Sequence, residues 1–299
     1  MKILLTGATG QLGQEICRSR LPPGTKLIAP TRAELDLARP AEVARFVRDA
    51  APDLVINAAA YTAVDKAEHE PDLAFLVNRD AAAALAGAAA ICGAPIVSIS
   101  TDYVFDGRKD EPLNEDDRPN PLNVYGESKL AGEFAVMASN PRHLILRVSW
   151  LYAARGNNFL RTMLRLGRER SRLAIVSDQI GRPTSAADLA SALIGMALQT
   201  INGDGQWGLY HFSNAGPPVS WHGFASAIFC KAAPWCGMPP ILEPISTEAF
   251  GAKAIRPRNS VMDLAKIERV FGLTPRPWQT ALADILDEVR LEDIEMRAS

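Results

Sequence analysis

The first thirteen residues constrain the fold more than any other stretch of this chain. Lys2 to Thr6 is a short apolar run that reads as a buried strand. It ends in Thr6-Gly7-Ala8-Thr9-Gly10-Gln11-Leu12-Gly13, and a helical pattern follows to about Arg20. Glycines at 7, 10 and 13 form G-x-x-G-x-x-G between a strand and a helix. That spacing gives a tight turn, a backbone able to approach a pyrophosphate, and close packing of helix on strand. The helix N-terminus adds N–H groups and partial positive charge for the anion.

The chain then alternates. A second strand over Lys26–Pro30 is followed by Thr31 and Arg32, with no carboxylate until Glu34. In a dinucleotide fold an acid at this point binds the ribose 2′-hydroxyl of NAD. Arg32 reads equally well as a partner for the 2′-phosphate of NADP or as a solvated loop arginine. Asp36 is a candidate contact near the adenine. A helix from about Pro40 to Ala50, a strand at Asp53–Asn57, an Ala-rich helix over roughly Asp72–Cys92 and a strand at Ala94–Ser100 continue the pattern. Strand and helix in alternation with short polar turns predict an α/β fold built on a doubly wound parallel sheet. Ligands bind such sheets at the carboxyl ends of the strands. That edge gathers Gly7, Gly10, Arg32, Asn57, Ala60 and Thr101.

The chemistry enters with Asn123-Val124-Tyr125-Gly126-Glu127-Ser128-Lys129. If this segment opens a helix, Tyr125 and Lys129 share a face with Cβ atoms about 5–6 Å apart. A neighbouring ammonium is expected to lower a phenol pKa whose free value is about 10, giving a proton donor near neutral pH. Leu130, Phe134 and Met137 supply an apolar stripe to anchor the helix. The Pro- and acid-rich stretch Asp106–Leu122 is expected to be a lid or rim over the site.

Further strands are expected at His143–Ser149, Leu173–Val176 and Gly208–Phe212. Helices are expected after Gly156-Asn157-Asn158 and at about Ala186–Leu198 and Trp221–Ala232. Gly and Pro become denser after about residue 150. The expected division is a dinucleotide-binding domain over 1–150 and a smaller, interleaved substrate lobe over 151–299, with segments near 173–212 returning to the first domain.

A net charge of −2 gives no reason to expect a nucleic-acid or anionic-membrane partner. No apolar run approaches the roughly 20 residues that span a bilayer, and the start of the chain is too short in apolar residues for a signal peptide. Cys17 and Cys92 read as small buried residues, and Cys230 and Cys236 as thiols rather than a disulfide. A cytoplasmic location is expected.

Taken together, G-x-x-G-x-x-G at Gly7 to Gly13, the Asn57-Ala58-Ala59 turn, Thr101 after the fourth strand, and Tyr125-x-x-x-Lys129 resemble the extended short-chain dehydrogenase/reductase superfamily. Within it, the wording is similar to the dTDP-4-dehydrorhamnose reductase family, nearly end to end. The most specific stretches are 57–68, 100–105, 121–126, Arg147-Val148-Ser149-Trp150, Gly156-Asn157-Asn158-Phe159 and Arg256-Pro257-Arg258-Asn259-Ser260. The resemblance implies reduction of the C4 ketone of a dTDP-sugar by NAD(P)H, with Tyr125 as proton donor. Lys129 would hold the nicotinamide ribose, and Thr101 would hydrogen-bond the reacting oxygen. It further implies that Gly10, Gln11 and Leu12 cover the pyrophosphate, Asp36 and Leu37 the adenine side, and Ala60, Tyr61 and Thr62 the middle of the cofactor. Asp102 and Trp150 would flank the sugar, and Arg182 and Arg258 are candidate partners for the substrate diphosphate.

The missing acid after the second strand tilts the expectation toward NADPH, with NADH also accepted. Some relatives form magnesium-linked dimers through clustered carboxylates. Glu15 could take part, but the aligned positions read Ala187 and Gln279, so no metal site is expected and either a monomer or a homodimer is open. Two rival readings share the scaffold: another nucleotide-sugar reductase or epimerase, and a catalytically silent nucleotide-binding regulatory subunit.

Overall fold

The computed structural model describes residues 1–203 and 206–298. Strand β1 (Lys2–Thr6) is apolar on both faces: Ile3 and Leu5 enter one core cluster while Leu4 enters another on the opposite side of the sheet. This two-sided burial is what a parallel sheet covered by helices requires. Helix α1 (Gln11–Arg18), β2 (Lys26–Ile28), α2 (Pro40–Ala50) and β3 (Leu54–Asn57) follow.

After β3 come the short helices α3 (Val64–Ala67) and α4 (Pro71–Phe75), then a π-turn over Leu76–Asp80 and α5 (Ala81–Ile91). The single Ala-rich helix expected from the sequence is therefore interrupted by a wider turn. Asn78 in that turn is buried, and its carbonyl lies so close to Gly132 that a Cβ there would sit 2.1 Å away. From Pro71 to Ile91 the stretch is 21 residues, with an 18-residue window of mean hydropathy 1.3, long and apolar enough to cross a membrane. That corrects the sequence expectation. Its buried residues Ala81, Ala82, Leu85, Ala86, Ala88 and Ala89 belong to the core cluster beneath the sheet.

Strand β4 (Ile96–Thr101) leads to a 3₁₀ turn and the loop before α6 (Val124–Ser139). Strands β5 (His143–Val148) and β6 (Leu151–Tyr152), helix α7 (Phe159–Glu169), and strands β7 (Arg172–Val176), β8 (Ile180–Gly181) and β9 (Thr184–Ser185) come next. The chain continues with α8 (Ala186–Asn202), β10 (Gly208–Phe212), β11 (Val219–Ser220), α9 (Trp221–Cys236), β12 (Ile241–Ile245), α10 (Thr247–Phe250), α11 (Ala265–Phe271) and α12 (Trp278–Ala298).

The main sheet is six-stranded and parallel in the order β10-β5-β4-β3-β1-β2. One face carries α1, α8 and α11, and the other carries α2, α5 and α6. The stretch 173–212 divides between the two halves: α8 and β10 join the nucleotide half, whereas β7 pairs with β12 in a separate two-stranded sheet. A later segment, α11, also returns, placing Ile267 and Phe271 in the first core cluster. The second lobe has its own core, in which Leu160 and Met163 of α7 pack with Phe224 and Ile228 of α9 and Leu282 and Ile285 of α12.

Two further expectations are overturned. Cys17 is exposed, because the buried face of α1 is Leu12, Gly13, Glu15 and Ile16. The loop between Asp106 and Leu122 is not a lid. Leu113 exchanges backbone hydrogen bonds with Val261 and Asp263 at 2.8 and 2.7 Å, and Asn259 donates to the carbonyls of Lys109 and Glu111. The loop is a brace tied to the second lobe, and among the described residues none of it lines the cleft.

Candidate active site

A cleft of about 820 Å³ runs along the carboxyl ends of β1, β3 and β4 and is closed on the far side by the second lobe. Its first wall is the glycine turn. Gly7 has φ +75°, and a Cβ there would stand 2.7 Å from the Ala58 backbone; one on Gly13 would stand 2.0 Å from the Gly7 carbonyl oxygen. Both positions thus require glycine, the first for conformation and approach, the second for packing of α1 on the turn. Gly10 caps α1 without a side-chain hydrogen bond, and the buried Oε1 of Gln11 has no partner among the described residues. A helix start with uncapped N–H groups, glycines on its approach and an unpaired amide oxygen fits a pyrophosphate with an adjoining hydroxyl.

At the β2 end, Arg32, Asp36 and Leu37 line the cleft. Arg32 is 82% exposed and only 3.8 Å from Asp36, so its guanidinium is loosely held. Glu34 turns back onto its own loop, accepting from the Thr31 N–H and hydroxyl at 2.7 and 2.8 Å. These bonds hold its carboxyl below the usual range. Ala60, Tyr61 and Thr62 form the middle of the cleft. Their loop is fixed by Asn78, whose side chain accepts from Tyr61 N–H at 2.8 Å and donates to the Tyr61 carbonyl at 3.1 Å and to Ser128 Oγ at 2.9 Å.

Helix α6 brings Tyr125 and Lys129 to this cleft. Asn123 caps it by accepting from Gly126 N–H at 2.8 Å, and Tyr125 and Lys129 are both buried and both line the cleft. The expected apolar stripe is not what anchors the helix, since Phe134 is 59% exposed. The buried face is Tyr125, Gly126, Ser128, Lys129, Gly132, Glu133 and Val136. Gly126 and Gly132 dock it against backbone, each with a position for Cβ only 2.2 and 2.1 Å from the carbonyl oxygens of Tyr103 and Asn78.

The electrostatics differ from the sequence expectation. Burial pushes the Tyr125 phenol up to about 12, with a hydrogen bond to Thr101 opposing and the Asp102 charge reinforcing the rise. Lys129 is itself desolvated, down to about 8, and donates to the Ile99 carbonyl at 2.6 Å. Burial outweighs the influences that oppose it at the phenol, so the expected lowering of Tyr125 is absent. Burial likewise raises the Asp102 carboxyl to about 6. Thr101 donates to Asp102 at 3.1 Å, and the Tyr103 ring meets Tyr125 edge-on at 5.5 Å.

The opposite wall comes from the second lobe. Trp150, a non-glycine residue at φ 51°, stacks on Trp221 with ring centroids 3.6 Å apart and an 8° tilt. Gly181 makes room for it: a Cβ there would stand 2.6 Å from the indole. Gly156, Asn157, Asn158 and Trp221 complete this wall. From the sequence Trp221 reads only as a helix start, and Tyr103 only as part of a matching stretch. The signal for both was an aromatic next to a turn, which by itself is common.

Arg182 and Arg258 do not join the cleft. The Arg182 guanidinium donates to the carbonyls of Gly216 and Met262 at 2.9 and 3.0 Å, which makes it a strut within the lobe. Arg258 is exposed and lies outside the lining residues. Glu15 pairs with Arg18 at 3.2 Å, and burial raises its carboxyl, with Glu288 reinforcing the rise and Arg18 and Arg155 opposing it. Arg155 in turn pairs with Glu288 and Glu292 of α12.

The family model described as RmlD substrate binding domain matches residues 1–291. The chain belongs to that family. Relatives named dTDP-4-dehydrorhamnose reductase include one from Sinorhizobium fredii, 42% identical over 98% of this chain and 99% of its own length. Another, from Salmonella typhimurium, is 43% identical over 97% and 98%. A solved Bacillus anthracis dTDP-4-dehydrorhamnose reductase in complex with NADP superposes with a TM-score of 0.89 at 39% identity, covering 96% of this chain and 99% of that one. The Clostridium acetobutylicum reductase reaches 0.90 at 41% identity, covering 97% and 100%. The RmlD family model therefore takes in both lobes, cleft included.

Proposed function

We propose that this chain reduces the C4 ketone of dTDP-4-dehydro-β-L-rhamnose to dTDP-L-rhamnose, with NADPH as the preferred reductant, NADH as a second one, and Tyr125 as proton donor. The observation that carries the reading is the joint burial of Tyr125 and Lys129 on one face of α6, in a cleft that begins at an uncapped, glycine-lined helix start.

The bound, reduced nicotinamide supplies the hydride. Everything else falls to the chain. A phenol at about 12 stays protonated at neutral pH, as a donor must. It yields its proton once the C4 oxygen gains charge, because an alkoxide is more basic than a phenolate. Thr101, which lines the cleft with the phenol, orients it toward that oxygen. Lys129 holds the ribose hydroxyls and brings positive charge to a dry site, where it acts more strongly than in water. Trp150 with Trp221 and Asp102 bound the sugar and exclude water. The loosely held Arg32 and the averted Glu34 favour a 2′-phosphate over a bare ribose. The NADP bound by the Bacillus anthracis relative supports the same preference. We place the reaction in the cytoplasm, where its reductant is made.

The test is the loss of reduced-nicotinamide absorbance when purified protein meets the 4-keto sugar generated in place. Substrate-dependent oxidation faster with NADPH than with NADH is expected. No oxidation with either, from protein that still binds one, would overturn the assignment in favour of an epimerase or a silent subunit.

A further inference from the structure

Four residues beyond Lys129, on the same buried face of α6, stands a second charge that the reduction as described does not use. Glu133 is 3% exposed. Arg147 of β5 grips it with two hydrogen bonds, Nε to Oε1 at 2.9 Å and Nη2 to Oε2 at 2.6 Å. Ser100 donates to the same Oε1 at 2.5 Å. Ser100 and Arg147 are register partners across β4 and β5, and the next pair is Thr101 with Val148. One carboxylate therefore ties α6 to both strands, immediately beside Thr101.

Stability alone does not account for such a pair, because buried ion pairs are often replaceable by apolar residues without loss. An apolar pair could not offset the removal of Lys129 from water. The other charged or titratable groups around this face sit differently. Asp102 and Tyr103, in the turn after β4, act on Tyr125; Arg256 reaches Tyr103 from the second lobe; and His211 on β10 is driven down to about 3 by burial and by Arg147. Glu133 is the charge that favours the ammonium of Lys129.

We infer that Glu133 is a positioning residue for the reduction, its carboxylate, clamped by Arg147 and Ser100, keeping the Lys129 side chain charged and in place under the cofactor. The inference rests on the role of Lys129 given above.

The experiment follows NADPH affinity by fluorescence titration, and kcat/KM, as functions of pH for the wild type, Glu133→Gln, Glu133→Gln with Arg147→Met, and Lys129→Met. Circular dichroism checks the fold, and the double variant covers the case in which the single one fails to fold. In both Glu133 variants the alkaline limb should move to lower pH by about one unit, the scale for loss of a close opposite charge, so that kcat/KM falls about twofold at neutral pH and about tenfold above the limb. A limb unmoved in folded Glu133→Gln overturns the inference. So does a limb restored in the double variant, which would trace the single variant's effect to an unpaired Arg147. The limb should vanish in Lys129→Met; a limb that persists there belongs to another group and overturns the role of Lys129 itself.

Discussion

The two walls of the cleft are held by different physics. The nucleotide wall is built from backbone in close approach and from charges removed from water: Gly13 against Gly7, Gly132 against Asn78, and the Glu133–Arg147 pair with side chains 1% and 3% exposed. The lobe wall is built from an aromatic stack and from ion pairs at the surface. Arg155, 28% exposed, pairs with Glu288 and Glu292, and Arg276, 37% exposed, pairs with Asp284 and reaches across to Asp188 of α8. Backbone packed where no Cβ would fit and buried charge pairs tolerate almost no displacement, whereas stacked rings and exposed pairs can shift at little cost. The proposed function puts the chemistry on the wall that cannot move and substrate accommodation on the wall that can.

The contrast is sharpest at Tyr125. Tyr125→Phe should leave the fold and NADPH binding intact and cut kcat by about 10²–10⁴, the scale for a general acid; more than half the activity left would remove Tyr125 from the mechanism. Lys129→Met tests whether the same wall stores a stability cost. The lysine sits at about 8 instead of its ordinary 10.5, and each unit is worth about 1.4 kcal/mol. At neutral pH both folded and unfolded lysines are charged, so the full penalty applies and the variant should gain about 1–3 kcal/mol while losing activity. From about pH 8 to 10.5 the unfolded chain binds the extra proton, so the wild type should recover that deficit as pH rises. Denaturant titrations at the two ends of this window check the sign, and a variant less stable at neutral pH breaks the comparison.

On the lobe wall, Trp221→Ala should raise KM for the sugar by up to about tenfold and change kcat less, since a stacked pair is worth about 0.5–1.5 kcal/mol beyond its area. A loss confined to kcat would move Trp221 into the chemistry. Arg155→Gln should be the mildest, within about 1 kcal/mol in a melting experiment and weaker still at high salt. A loss of several kcal/mol would mean that the pair is held as tightly as Glu133–Arg147.

Much of the nucleotide wall was legible because its demands are local. The left-handed φ of Gly7 belongs to its own turn and Gly13 answers to the Gly7 carbonyl six residues back, although the approach of Gly7 to Ala58 is long-range. Strands β1 and β3 are short, mainly apolar runs. Helix α6 shows the limit. Counting apolar residues put Leu130, Phe134 and Met137 inside, yet two glycines and three polar residues make the buried face. Glycine docking and buried polar networks leave no hydrophobic period to read. Arg182 shows the same limit from the other side: an arginine near a turn can be a ligand partner or a strut, and only the carbonyls of Gly216 and Met262 decide.

The order of the residues by itself determined the strand–glycine turn–helix entry, the parallel doubly wound sheet and the i, i+4 placement of Tyr125 and Lys129, because each depends on spacing within one or two turns of chain. The tertiary structure alone decided the charge state of that pair, the carboxylate behind it and the aromatic wall opposite. Those depend on how far each group is drawn from water and on partners from Ser100 to Trp221, brought together by folding rather than by sequence distance.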